Sequence, residues 1–202
     1  MLQLTLPGTD LPQRALDLAR RTEHPSVLNH SLRTFLYASL HADSMSSESG
    51  EVDRELLFVA CVLHDVGTAD VYNGEQRFEV DGADAAADFL RKEGRPQHEI
   101  DSVWEAIALH TSPGIAERLR PLTRLTRLGV LADFGQAERI FPQEQTAIEV
   151  MYPRLNVERE LGNRVVRQAL ARPQKAPASS WPGILLAAHK LCPQWERVNA
   201  AF

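Results

Sequence analysis

Cysteine is scarce in this 202-residue chain. Only Cys61 and Cys192 are present, and Cys61 lies inside an apolar run, where a thiol behaves as a small buried hydrophobe. Two cysteines cannot form the framework of a disulfide-rich secreted domain. We therefore expect no disulfide and a reducing compartment.

Long apolar runs are also missing. No stretch approaches the roughly 20 apolar residues that a helix needs to cross a bilayer. The first ten residues, from Met1 to Asp10, lack the basic and then apolar pattern of a signal peptide. The sequence therefore predicts a cytoplasmic protein that has no membrane partner.

An excess of basic charge is absent as well. The net charge is −5, and hydrophobic and charged residues make up 44% and 24% of the chain, close to the averages of soluble globular domains. A protein that binds a nucleic acid polymer would show a basic face, so this class is disfavoured, whereas a single nucleotide is allowed. The length suits one hydrophobic core better than two.

What the chain has is apolar residues at helical spacing along most of its length. The pattern predicts an all-α fold, with helices over about 11–21, 25–41, 51–66, 83–92, 96–110, 122–134, 144–151, 156–171 and 181–191. No strand pair, internal repeat or interdomain linker is evident. We expect one domain over 1–202: a helical bundle with a core at about 25–171 and a C-terminal tail, 172–202, that docks back on it.

The third of these helices ends in two polar side chains. Its residues 56–63 are all apolar, and His64 and Asp65 follow directly. A helix that is apolar on nearly every side is buried, and a buried charge is tolerated when it is paired or binds a metal. The two side chains could instead cap the helix or bond to each other, which is the simpler interpretation of an isolated His-Asp pair.

Two further residues favour a metal site. His30 lies between the apolar positions Leu28 and Leu32 of the second helix, and Asp133 lies near the end of the helix over 122–134. Facing helices of a bundle bring such inward-pointing side chains together. Imidazole and carboxylate suit zinc, iron or manganese, and a bound divalent ion generates a nucleophile from water near neutral pH.

The order His…His-Asp…Asp resembles the HD-domain superfamily, whose members are helical and mostly metal-dependent phosphohydrolases. Several blocks resemble its cyanamide-hydratase-like branch more closely, namely 29–33, 64–68, 77–83, 104–111 and, more loosely, 152–155. The resemblance covers about 25–190. It implies zinc or iron, with His30, His64, Asp65 and Asp133 as ligands.

The resemblance also implies that His110 faces the pocket. We expect Asp65 to orient the attacking water and His110 to move a proton. His110 also ends a helix, where a cation is stabilised by the helix dipole, so a structural role is an equal alternative. The remaining histidines match no block and are interpreted as surface or structural residues: His24, His41, His98 and His189.

The loop predicted over 68–80 follows the ligands directly and is placed to form the pocket rim. The substrate-binding candidates in and near the matching blocks are Thr68, Arg77, Phe78 and Thr111. Arg77 could instead pair with Glu79 on the surface, and Phe78 could belong to the core.

Three functions compete. The first is hydration or hydrolysis of a small uncharged molecule such as a nitrile or cyanamide. The resemblance implies a mononuclear centre for it, because most HD enzymes with two metals have further histidines soon after the His-Asp pair, and the next histidine here, His98, lies in a polar stretch. The second is hydrolysis of a nucleotide or another phosphomonoester, which usually recruits arginine or lysine. Only Arg33 and Arg77 lie near the ligands in sequence, which favours the first. A non-catalytic binding module is least favoured because the ligand set is complete.

A homo-oligomer is compatible with the sequence.

Overall fold

The computed structural model describes residues 4–45, 52–137 and 142–192. These residues form helices joined by turns and contain no strand, which confirms the expected all-α fold. Within the described residues, none of the helices has the length and apolar character needed to span a membrane. The helices are α1 (Asp10–Thr22), α2 (Pro25–Ser44), α3 (Arg54–Leu63), α4 (Phe78–Lys92), α5 (Gln97–Leu109), α6 (Pro121–Asp133), α7 (Pro142–Met151), α8 (Val157–Ala171) and α9 (Trp181–Leu191).

Helix α3 lies at the centre of the fold. Its start is defined by Asp53, whose carboxylate accepts hydrogen bonds from the backbone N–H groups of Glu55 and Leu56, the usual role of an N-cap aspartate. Every residue from Leu56 to Leu63 is buried. The helix packs against α1, α2, α5 and α6, so its C-terminal end points into the interior rather than into solvent.

Helices α2 and α6 pack closely because Gly129 faces α2. A side chain at this position would collide with the backbone carbonyl of Thr34 and with Ala38. The absence of a Cβ atom therefore allows the two helix backbones to approach. Asp133 lies one turn further along α6, and the close approach brings it beside His30 of α2.

Helix α4 begins five residues earlier than the sequence predicted. It starts at Phe78 rather than at about residue 83, so part of the expected loop over 68–80 is helical. Phe78 is buried, and Glu79 and Asp81 lie in the first turn, where carboxylates are stabilised by the helix dipole. Before it, the chain forms two short 3₁₀ turns, Val66–Thr68 and Asp70–Tyr72.

The segment that follows α8 returns to α4 and to the turn before it. Lys175 is buried, and its ammonium group donates to the Asp81 carboxylate and to the carbonyl of Gly74. Arg172 donates to the carbonyl of Asn73. Helix α9 then packs against α8. The described part of the expected tail, 172–192, thus packs on preceding elements, and 193–202 lie outside the described residues.

Candidate metal centre

His64 is oriented by the end of the helix that precedes it. It is the C-cap of α3 and is fully buried, and its Nδ1 atom lies 2.7 Å from the carbonyl oxygen of Cys61. A carbonyl oxygen only accepts, so Nδ1 carries the proton. In the neutral ring the Nε2 atom then holds a lone pair.

His110 is held in the same way at the end of α5. It is the buried C-cap of that helix, and its Nδ1 atom lies 2.6 Å from the carbonyl oxygen of Ile107. In the neutral ring the lone pair is therefore again on Nε2. The two imidazole rings lie 4.8 Å apart and nearly perpendicular.

The third imidazole is oriented by a carboxylate rather than by the backbone. His30 lies in α2 and is buried, and its Nδ1 atom is 2.6 Å from Oδ2 of Asp133. Burial lowers the pKa of His30 below its ordinary value, although Asp133 acts in the opposite direction. A neutral His30 that donates from Nδ1 presents an Nε2 lone pair, as His64 and His110 do.

These lone pairs converge with the carboxylate of Asp65. The Nε2 atoms of His30 and His64 are 3.2 Å apart, and Oδ2 of Asp65 lies 3.1 Å from His64 Nε2 and 3.6 Å from His30 Nε2. Oδ1 of Asp65 lies 3.6 Å from His110 Nε2. Two unprotonated nitrogens at this distance repel each other unless a cation or a proton lies between them.

The electrostatics of Asp65 and His64 indicate that this position requires positive charge. Neither buried Asp65 oxygen forms a hydrogen bond of good geometry with the described residues. Burial raises the pKa of Asp65, but His64 and His110 hold it well below its ordinary value. Burial alone would lower the pKa of His64, but the neighbouring Asp65 carboxylate raises it above its ordinary value. A buried carboxylate needs a neighbouring positive charge, which a protonated imidazole or a bound cation can supply. Ligand atoms of His30, His64 and Asp65 all lie within 4.8 Å of one another, so these residues fit a divalent metal ion.

Asp133, the fourth predicted ligand, lies apart from the group formed by His30, His64 and Asp65. Its carboxylate lies on the Nδ1 side of the His30 ring, away from His64 and Asp65, and Asp133 is not in the group that could share an ion. Both oxygens accept from the guanidinium of Arg33, Oδ1 at 2.6 Å and Oδ2 at 2.8 Å, and Arg154 donates to the backbone carbonyl of Asp133. In this arrangement Asp133 fixes the orientation of the His30 ring. Burial raises the pKa of Asp133, but hydrogen bonds from His30 and Arg33 hold it well below its ordinary value.

The centre opens into a cavity of about 600 Å³, lined at its base by His30, His64, Asp65 and His110. Of the four predicted substrate-binding residues, Arg77 and Thr111 line this cavity.

The other two substrate-binding candidates do not line the cavity. Thr68 is buried, and its hydroxyl donates to the backbone carbonyl of Asp65. The 3₁₀ turn after Asp65 directs this side chain back to the backbone, so Thr68 shapes the turn. Phe78 is buried behind the cavity, where it packs on the rings of His110 and Trp181 at centroid distances of 5.7 and 5.8 Å.

Comparison with known proteins identifies the family. A sequence model described as the HD domain matches residues 27–139, more than half of the chain. This chain belongs to the HD domain family. The resemblance noted in the sequence is therefore confirmed, and the class of the protein is that of the metal-dependent HD hydrolases.

Two curated relatives of this HD protein carry more specific names. They are cyanamide hydratase DDI2 and cyanamide hydratase DDI3 of Saccharomyces cerevisiae (strain ATCC 204508 / S288c). Each is 28% identical to this chain over 161 residues, which cover 74% of this chain and 68% of the relative.

Sequence reasoning missed several residues around the centre of this HD domain. Arg127, Phe134 and Trp181 line the cavity, and the Phe134 ring lies 4.7 Å from that of His30. Phe134 follows Asp133 directly and could have been inferred from that neighbour. Trp181 lies 48 residues beyond Asp133 in sequence and carried no local signal, because its place depends on how the C-terminal segment packs.

Proposed function

We propose that this HD protein is a metal-dependent enzyme that adds water to a nitrile-like carbon of a small molecule, giving an amide or a urea. One observation carries the proposal. The donors of His30, His64 and Asp65 converge at the base of a cavity, and His110 presents a free Nε2 atom beside them. The similarity to two cyanamide hydratases supports this choice of substrate class.

The metal would be held by the Nε2 atoms of His30 and His64 and by the carboxylate of Asp65. Two nitrogen donors and one oxygen donor suit zinc or iron, and three protein donors are typical of catalytic centres that keep open positions for water and substrate. When bound, such an ion supplies Lewis acidity, which lowers the pKa of water and polarises the carbon–nitrogen bond. The described residues offer one such group, which favours a mononuclear centre.

The chain's own residues position water and move protons. Asp65 is an acceptor when ionised, and Oδ1 faces His110, so it can orient a water molecule between the two side chains. His110 can take a proton only at Nε2, because Nδ1 is committed to the Ile107 carbonyl. The imidazolium that forms is stabilised by Asp65, and it returns the proton to the nitrogen of the substrate. One water is thereby added across the carbon–nitrogen bond.

Three further residues hold the ring of His30 in place. Asp133 accepts from His30, and Arg33 and Arg154 donate to Asp133. The hydrogen bond from His30 Nδ1 to Asp133 selects the tautomer in which Nε2 can bind a metal, as carboxylates commonly do for ligand histidines. Arg33 is fully buried and donates to both oxygens of Asp133. The arginine therefore restricts the carboxylate, which in turn restricts the ring of His30.

Phosphomonoester hydrolysis is the second candidate, and the arginines of the cavity favour it. Arg77 and Arg127 line the cavity, whereas Arg33, counted as a nearby cation in the sequence, is used by Asp133. Arg127 already donates to Glu117 at 3.1 Å and to the carbonyl of His110 at 3.0 Å. Of the arginines that line the cavity, Arg77 remains available to a phosphate, because its ion-pair contact to Glu79 is 3.9 Å long. This support is weaker than that for an uncharged substrate.

The deciding experiment assays one purified sample for metal and for both reactions. We expect about one zinc or iron per chain, urea formation from cyanamide, and no phosphate release from nucleoside monophosphates. Asp65→Asn should lose metal and activity together, whereas His98→Ala, which changes an exposed histidine, should keep both. Phosphate release without turnover of any nitrile would replace the proposal by the second candidate.

Metal removal gives a second readout for the same centre. Because the ion neutralises the buried Asp65 carboxylate, chelation should lower the melting temperature of the wild-type protein. The melting temperature of Asp65→Asn should not respond to the chelator. An unchanged melting curve after verified removal of metal from the wild type would contradict the assignment of Asp65 as a ligand.

The cytoplasmic location and the oligomeric state remain sequence-based predictions.

A further inference from the structure

The cavity above the metal centre is much larger than cyanamide requires. Its volume is about 600 Å³, equivalent to roughly 20 waters at about 30 Å³ each. Cyanamide has three heavy atoms and would fill a small part of it. Cavities of this size are typical of sites that bind much larger organic molecules. Most of the cavity wall is therefore available to a part of the substrate that does not react.

The wall beyond the centre combines apolar and aromatic side chains with the uncharged polar side chains of Thr111, Ser112, Gln136, Ser179 and Ser180. Its apolar members include Leu131, Phe134, Leu161, Trp181 and Ile184, in or next to α6, α8 and α9, and also Pro113 and Ile115 from the segment between α5 and α6. One of the two aromatic rings contacts the centre directly, and the other is connected to it through Phe78. Phe134 packs on the ring of His30, and Trp181 packs on Phe78, which packs on His110. A group attached to a reacting carbon at the centre would thus meet aromatic surface at once.

Charge in the described part of the lining is confined to three side chains. Asp65 belongs to the centre itself, and Arg127 is engaged by Glu117 and by the His110 carbonyl. Arg77 is partly exposed and lies near the buried Glu79. Arg77 is therefore the one charge of the described lining left to meet a charged substituent, whereas the apolar part of the wall would be removed from water by an apolar one.

We propose that the substrate is a cyanamide or nitrile that carries an apolar, preferably aromatic, substituent, which binds against Phe134, Leu161 and Trp181. The inference rests on the proposed function, since it assumes that a nitrile-like carbon reacts at the centre. The reaction is R–NH–C≡N + H₂O → R–NH–CO–NH₂. The water oxygen bonds to the carbon, both water hydrogens end on the terminal nitrogen, and no oxidant or further reactant is consumed.

The test compares phenylcyanamide with cyanamide on the metal-loaded protein. Burial of the phenyl group should raise kcat/KM about tenfold or more over that of cyanamide. Trp181→Ala should reduce the ratio of kcat/KM for phenylcyanamide to kcat/KM for cyanamide towards one. Ile184→Ala should reduce this ratio less, because Ile184 is a half-exposed residue of the cavity lining. Trp104→Ala is the matched control, because Trp104 lies on α5 outside the cavity lining and donates to Asp84; its ratio should equal that of the wild type.

Product binding tests the same wall without chemistry. Calorimetry should give a dissociation constant for phenylurea about tenfold or more below that for urea, and Trp181→Ala should remove this difference. Melting curves of each variant identify any loss of fold, and Ile184→Ala keeps the test usable if Trp181→Ala does not fold.

Two failures are distinguishable. If cyanamide is hydrated but phenylcyanamide is no better a substrate and phenylurea binds no more tightly than urea, this inference is wrong and the proposed function stands. If neither compound is hydrated, the proposed function is wrong and this inference falls with it.

Discussion

His64 and His110 end two different helices with the same hydrogen bond, from Nδ1 to the carbonyl oxygen three residues earlier. Both rings consequently direct Nε2 into the same interior space, and their centroids are 4.8 Å apart. Each histidine follows a leucine at the end of its helix, but only His64 is followed by an aspartate. We infer that this difference separates a ligand, His64, from a residue that moves protons, His110.

The first prediction concerns His110. His110→Ala should keep the metal, because its Nε2 atom is not needed for the group formed by His30, His64 and Asp65. Turnover should fall about a hundredfold or more, the usual scale for the loss of a general acid–base group. Metal content and kcat measured on one sample check this, with His98→Ala as control. Full activity in the metal-loaded variant would exclude His110 from the mechanism.

Asp133→Asn distinguishes an orienting residue from a ligand. The substitution weakens the acceptor that holds His30 and removes the charge that faces the buried Arg33. We expect metal affinity to fall about 10- to 100-fold, as is typical for partners of ligand histidines, and stability to fall by about 3 kcal/mol because Arg33 stays buried without a counter-charge.

Competition titration with a chromophoric chelator and urea unfolding measure these two effects. Asp88→Asn, at an exposed aspartate paired with Arg91, should change neither. Complete loss of metal, as expected for Asp65→Asn, would instead show that Asp133 is a direct ligand, as the sequence alone predicted.

Glu23 gives a prediction for pH dependence. Both of its carboxylate oxygens are buried without a hydrogen-bond partner among the described residues. Burial raises the pKa of Glu23 well above its ordinary value, with a further contribution from Asp65. The folded state therefore holds this proton more tightly than the unfolded state, so stability is greatest below the unfolded pKa and declines as pH rises from there through the raised folded pKa.

Glu23→Gln should remove this decline in stability with rising pH, because glutamine does not ionise. Its melting temperature should exceed that of the wild type by a margin that increases from pH 5 to pH 8, as thermal unfolding at several pH values would measure. Glu75→Gln, at a side chain that is 76% exposed, should show no such trend. A variant whose advantage stays constant with pH would contradict the raised pKa.

The buried pair of Lys175 and Asp81 should stabilise the return of the C-terminal segment. Lys175→Met keeps the side-chain volume but leaves Asp81 without its cation, and removing one partner of a buried pair costs about 3–5 kcal/mol. The free energy of unfolding from urea titration measures this cost. Lys92→Met, at the exposed end of α4, is the control. A loss below about 1 kcal/mol, the scale of surface pairs, would contradict this role.

The chain's own sequence determined the local features of the protein. Apolar spacing predicts each α-helix of the described residues but none of the short 3₁₀ turns, because the period of 3.6 residues is a property of each α-helical segment by itself. The predicted start of α4 was wrong, because burial of Phe78 and favourable acidic residues in the first turn extend this helix towards its N-terminus. Burial of α3 also singles out His64 and Asp65, since costly polar groups at the end of an apolar helix need a partner.

Only the tertiary structure decided what the long-range partners do. The contact of Asp133 with His30 joins residues 103 positions apart, and the packing of α6 on α2 decides that the carboxylate meets Nδ1 rather than Nε2 of the ring. Trp181 likewise reaches the cavity because Lys175 and Arg172 return the C-terminal segment to the turn before α4. Helical period and capping depend on neighbouring residues, whereas the direction of a side chain relative to another helix depends on how the two helices pack.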